Sequence, residues 1–299
     1  MASIQNFLIR SFLKVVTNKK DIAKHSVETT RKRLHKFMMM NKPPESVSFE
    51  KVNCDGVLAE WNIPKNVTNS GVILYIHGGA YVSCSISTHR PLVARIARAS
   101  KTKALSIEYR YAPEHPFPAG LDDAVKTYHW LLKQGYDPTK IVITGDSAGG
   151  GLAIATLLRL RDEQTPLPAA GVCMSPWIDL ECSQDSGVRL ADKDPMLNAE
   201  AGKIFAKLYA GHESLRHPYI SPYYADLKGL PPLFIQVSDS EIVLDENVNF
   251  EKKAKAAGVE IQFEIWKNMV HVWQGFAPIL PEAIEAIKKI GIFIERKTK

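Results

Sequence analysis

A chain of 299 residues with 45% hydrophobic and 23% charged side chains has the make-up of a globular protein that can bury a sizeable core, which excludes disordered, collagenous and membrane-spanning classes. The net charge of +6 resides in residues 1–50, where ten Lys and Arg stand against four acids, but no recognition motif accompanies it, so nucleic acid is not an expected partner. Cys54, Cys84, Cys173 and Cys182 lack CxxC or Cys/His spacing, which argues against a disulfide framework or a zinc site and for reduced thiols in the cytoplasm.

Residues 1–45 read as a helical cap segment ahead of a core spanning 46–299. Arg10 and Lys14 interrupt the apolar start and no small-residue cleavage site follows, so neither a signal peptide nor a membrane span is expected. Ile4, Phe7, Leu8, Phe12 and Val15 form an apolar stripe expected to pack on the same chain; the alternative is contact with a membrane surface, short of a stable anchor. Val47–Asn53 and Val57–Ile63 alternate across Asp55-Gly56 as an antiparallel hairpin. Short apolar runs follow at Val72–Ile76, Ala104–Ile107, Ile141–Thr144, Gly171–Met174 and Leu233–Val237, the texture of parallel strands buried on both faces. Pro91–Ser100, Leu121–Gln134 and Ala148–Arg161 supply crossover helices, so the predicted fold is α/β: a mostly parallel, doubly wound sheet that opens with a hairpin. An insertion over about 180–230, with a helical piece at Ala199–Ala210, breaks the alternation and reads as a second part of the cap.

Gly145-Asp146-Ser147-Ala148-Gly149 lies between a strand and a helix, the setting in which a GxSxG string presents a strained nucleophilic serine. His77-Gly78-Gly79-Ala80-Tyr81 also follows a buried strand; the backbone N–H groups of Gly78 and Gly79, with that of Ala148, are the expected oxyanion donors. A serine hydroxyl needs an imidazole to take its proton and an acid to hold that imidazole. His271, after the strand Ile261–Trp266, has the place expected of the base in the chain order serine, acid, histidine. His77, Glu108, Asp122, Asp123 and Asp146 are expected to shape loops rather than transfer protons. Trp177 and Trp273 either border an acyl pocket or fill the core, and Met38–Met40 are expected at a pliable pocket entrance.

HGGAY, YRYAPEHPFPAGLDDA, GDSAGG, SPW at 175–177 and HVWQ at 271–274 resemble the hormone-sensitive-lipase-like family of α/β-hydrolases, also called bacterial family IV esterases, from about residue 45 onward. HVWQ and VSDSEIVLDE are similar to the branch that includes monoterpene ε-lactone hydrolases. The resemblance implies the α/β-hydrolase fold, a helical cap, an ester substrate, no cofactor, no metal and frequent homodimers. It implies Glu241 as the triad acid, where the family usually has Asp; Asp239 is the alternative, while Asp245 has the position of a helix cap. The function read here is hydrolysis of short- to medium-chain acyl esters by a serine carboxylesterase. The alternatives are a lactone hydrolase with the same triad and a non-catalytic small-molecule receptor, against which His271 argues.

Overall fold

The computed structural model describes residues 2–17 and 25–299. Eight strands form one sheet: β1 (Val47–Cys54), β2 (Val57–Pro64), β3 (Val72–Ile76), β4 (Lys103–Ile107), β5 (Ile141–Asp146), β6 (Ala170–Met174), β7 (Leu233–Ser238) and β8 (Ile261–Trp266). Their spatial order is β1-β2-β4-β3-β5-β6-β7-β8; β2 runs antiparallel to β1 and β4, and the other pairs are parallel. The opening hairpin turns at Asp55 and Gly56, both with positive φ (52° and 102°), as a tight turn matched to strand twist demands.

The helices described are α1 (Ile4–Val16), α2 (Val27–Met38), α3 (Ile86–Ser100), α4 (Ala119–Lys133), α5 (Ser147–Asp162), α6 (Ser186–Arg189), α7 (Ala199–Ala210), α8 (Leu244–Ala256) and α9 (Pro281–Lys297). The period of two along each strand divides the interior. Val72, Leu74 and Ile76 of β3 join Ile141 and Ile143 of β5 in a core under α4, α5 and α8, whereas Ile73, Tyr75 and Val142 join the opposite core under α3 and α9. Burial on both faces accounts for unbroken apolar strands that show no outward polar side.

Two expectations about helices are corrected. The first crossover helix begins at Ile86, not Pro91, because Ser85 and Thr88 form a reciprocal capping box and Glu108 accepts the Ile86 N–H at 2.9 Å. Pro91 is accommodated in the second turn. Asp245 does not cap α8; Val243 stands at the cap, and Asp245 lies in the first turn, bonded by Arg189 at 2.6 Å.

The apolar stripe of α1 is the third correction. Ile4, Phe7, Leu8, Phe12 and Val15 are 77, 69, 59, 49 and 80% exposed. The helix is attached by its opposite side, where Asn6 and Leu13 are buried. Asn6 donates to Asn268 O at 3.0 Å, Arg10 to Ser240 Oγ, Asn268 O and Met269 O, and Thr17 to Pro195 O. Both faces of the sheet are already covered, so α1 meets loops whose free carbonyls require polar partners.

Candidate active site

In an open α/β sheet, chemistry collects at the carboxyl ends of the strands where successive crossovers diverge. Here β3 is flanked by β4 on one side and β5 on the other, and the loops leaving β3 and β5 carry the two glycine strings. Ser147 is the first residue of α5 and has φ +51°, a left-handed backbone that costs on the order of 1–3 kcal/mol outside glycine. The surrounding glycines permit it: a Cβ at Gly145 would lie 2.2 Å from Gly149 O, and one at Gly149 would lie 2.2 Å from Ile76 O.

The structure brings Ser147, His271 and Glu241 into one line. Ser147 Oγ stands 2.8 Å from His271 Nε2, and His271 Nδ1 stands 2.6 Å from Glu241 Oε1. Because a carboxylate only accepts, Nδ1 carries the proton and Nε2 faces the serine as an acceptor. Glu241 is fully buried, and its other oxygen receives the Ser238 N–H at 2.6 Å and the Ser175 hydroxyl at 3.0 Å. Burial alone would lower the pKa of His271, but the hydrogen bond and charge of Glu241 more than offset it, so the imidazole is raised above its ordinary value. Asp239, two residues earlier, turns to the β8 exit, where it accepts the Asn268 N–H at 2.6 Å.

A second buried carboxylate lies beside Ser147. Asp146 accepts the Tyr75 hydroxyl at 2.6 Å, the Gly78 N–H at 3.1 Å and His89 Nε2 at 3.2 Å. The Gly78 N–H expected to face the oxyanion is therefore engaged with a side chain, and a Cβ at Gly78 would come within 2.4 Å of Asp146 Oδ2. Among the described residues, the N–H groups of Gly79, Ala80 and Ala148 have no protein acceptor. Ala148 lies in the first turn of α5, where the N–H groups are free of intrahelical bonds and the helix field favours negative charge.

His77 donates from Nδ1 to Gly78 O at 2.7 Å and stacks on Tyr109 with centroids 4.5 Å apart. Burial, reinforced by the neighbouring His89, pushes its pKa down to about 3, so it is a neutral brace for the loop. Asp123 binds Arg110 through both oxygens, while Asp122 stands 3.9 Å from Arg159. Trp273 is fully buried against Trp266, whereas Trp177 packs near Tyr81 in the core beside α7. Met38 touches Cys84 just past the glycine loop at 3.7 Å, and Met39 and Met40 are exposed. Sequence patterns do not single out His89 or Tyr75, and they give no role to Ser175 or Arg10; each acts through a partner more than 50 residues away, which no local string encodes.

Residues 73–275 match the family model described as alpha/beta hydrolase fold. The chain is 40% identical over 262 residues to an acetyl-hydrolase of Streptomyces hygroscopicus, covering 88% of this chain and 86% of that protein. It is 35% identical to an esterase of Acinetobacter venetianus, with 83% and 82% covered. A crystal structure of an esterase from the bacterial hormone-sensitive lipase family superposes with TM-score 0.94 at 41% identity, covering 100% of both chains. On sequence, fold and glycine strings alike, this chain belongs to the α/β-hydrolase fold family, among the bacterial hormone-sensitive-lipase-like, or family IV, esterases.

Proposed function

We propose that this carboxylic-ester hydrolase cleaves short- to medium-chain acyl esters with Ser147 as nucleophile, His271 as general base and Glu241 as the acid. The observation that carries this is the unbroken line from Ser147 Oγ through His271 to Glu241, at 2.8 and 2.6 Å. His271 Nε2 takes the serine proton as Oγ bonds to the ester carbonyl carbon, and the carbonyl oxygen becomes an oxyanion. The unpaired N–H groups of Gly79, Ala80 and Ala148 are the donors available to it; Gly78 acts one step back, tying the loop to Asp146. His271 then returns the proton to the departing alkoxide, leaving an acyl-serine. Water, deprotonated by the same imidazole, releases the acid and restores the serine.

The acetyl-hydrolase name of the Streptomyces relative supports the short end of the acyl range. Residues 1–45 and the insertion over about 180–230 are read as a cap. In support, Arg31 of α2 donates to Val82 O at 2.6 Å beside the glycine loop, and α1 rests on the loops next to Glu241 and His271. A cytoplasmic location accords with the thiol pattern; among the described residues no helix is long and apolar enough to cross a membrane. The test is a hydrolysis screen across acyl esters, lactones and amides with Ser147→Ala as blank. Turnover of acyl esters that disappears in the blank is expected; ester turnover equal in the two proteins would defeat the assignment.

A further inference from the structure

The first helix presents two unlike faces. Its inner side is committed: Leu13 is fully buried, and besides the bonds of Asn6, Arg10 and Thr17, Ser3 binds Glu282 at 2.6 and 2.8 Å. The outer side carries Ile4, Leu8, Phe12 and Val15 at helical spacing, with Phe7 at its margin, all exposed. Scattered exposed apolar residues need no explanation, but a stripe along a whole helix marks a contact surface. Such a stripe would be an unproductive substitute for solvent-facing polar residues unless something covers it.

Size and charge identify the occupant. Thirteen residues at 1.5 Å each make a face about 20 Å long and about 10 Å wide, roughly 200 Å², well below the ~800 Å² per partner of a stable protein interface. A lipid surface sets no such requirement, since an amphipathic helix needs only to lay its apolar side into the headgroup boundary. The sequence of α1 contains no acid and carries exposed Lys14, α2 adds exposed Lys32, Arg33 and Lys36, and residues 1–50 hold the entire formal excess of +6. We propose that the outer face of α1 docks the enzyme on an anionic lipid surface. Because Arg10 ties the same helix to Ser240 and Met269, beside the triad acid and base, docking places the active-site loops next to the lipid layer.

The test is co-sedimentation of the full chain with phosphatidylcholine vesicles, with and without phosphatidylglycerol, comparing wild type with a Leu8→Ser/Phe12→Ser double variant. Both substituted side chains are exposed, so an unchanged melting temperature is expected and is checked by circular dichroism. The wild type should bind phosphatidylglycerol-containing vesicles at least about tenfold more tightly than neutral ones. The double variant should lose at least about tenfold of that binding while hydrolysing a soluble ester within about twofold of wild type. Failure of the wild type to bind, or equal binding by the variant, overturns the proposal. So does a wild-type dimer in light scattering that the variant converts to monomer, which would make the face a contact between copies. Activity on the soluble ester is read in the same samples, so loss of the catalytic assignment and loss of the lipid contact are separable.

Discussion

Two buried histidine–carboxylate pairs flank Ser147, and they are placed differently. On one side His271 meets Glu241 at 2.6 Å; on the other His89 meets Asp146 at 3.2 Å. The difference lies in the second ring nitrogen. His271 Nε2 faces the Ser147 hydroxyl, whereas His89 Nδ1 faces Thr88 Oγ1 at 3.0 Å. Thr88 Oγ1 is itself held by the Ser85 O and N–H at 2.8 and 3.0 Å, so both ring nitrogens of His89 are engaged by fixed neighbours. In the proposed mechanism the same two functional groups thus make a base in one place and a brace in the other. Burial and proximity to a carboxylate do not distinguish the roles; the partner of the remaining nitrogen does.

Substitutions at the base side are expected to have the largest effects. Ser147→Ala and His271→Ala should each reduce kcat/KM by at least about 10⁴-fold with the fold intact by circular dichroism, as members of such a unit act together. Activity within tenfold of wild type in either variant would break the comparison at its root. Glu241→Ala should cost about 10³- to 10⁴-fold, because the imidazole loses both orientation and charge stabilisation. The pH profile sharpens this. His271 must be neutral to accept the serine proton, and its pKa is raised, so the neutral fraction falls while pH is still above the ordinary imidazole value of about 6.5. The acidic limb of kcat/KM is therefore expected above that value, and Glu241→Gln should move the limb to lower pH while depressing the plateau. An acidic limb in the variant at or above that of wild type would contradict the stated origin of the shift.

On the brace side, His89→Asn is expected to lower kcat about ten- to a hundredfold by loosening Asp146 and, through it, Gly78. Its acidic limb should stay where it is in wild type, since the proton acceptor is untouched; a limb displaced as in Glu241→Gln would assign His89 to proton transfer. The smallest effect belongs to Asp239→Ala, expected within about twofold because this acid binds the exposed Asn268 turn and its charge faces Arg10 rather than His271. A loss matching that of Glu241→Ala would return the acid role to Asp239.

The strands, the glycine elbow and the place of His271 are legible because each is written in a short local string: buried strands as apolar runs, Ser147 between a strand and a helix, the histidine after the final strand. Glu241 and Asp239 were harder to separate. They lie two residues apart past the end of β7, and which one turns inward depends on Ser175 and Ser238 meeting the Glu241 carboxylate. The partner of the Gly78 N–H is hidden for a related reason: its acceptor, Asp146, is 68 residues distant and adjoins Ser147. The apolar stripe on α1 is legible in the sequence, but its exposure is not. Periodicity reports that a face is apolar without saying whether the rest of the chain has room for it.

The distance along the chain between Ser147 and His271, 124 residues, bears on how the enzyme comes into being. The elbow, the glycine loop and the central strands all precede residue 180, but β8 pairs only with β7, and α9 closes back on α3, where Gly291 sits so near Ala99 that a Cβ would lie 2.6 Å from its carbonyl carbon. The histidine reaches the serine only once these last elements have docked on the first third of the fold, a long-range closure that is slow compared with local helix formation. A nascent chain that ends before residue 261 offers β7 as an open edge and holds Ser147 without His271. Recovery of ester turnover during refolding should accordingly follow the arrival of the C-terminal layer rather than the regain of helix, which makes the catalytic line a clock for the final step of assembly.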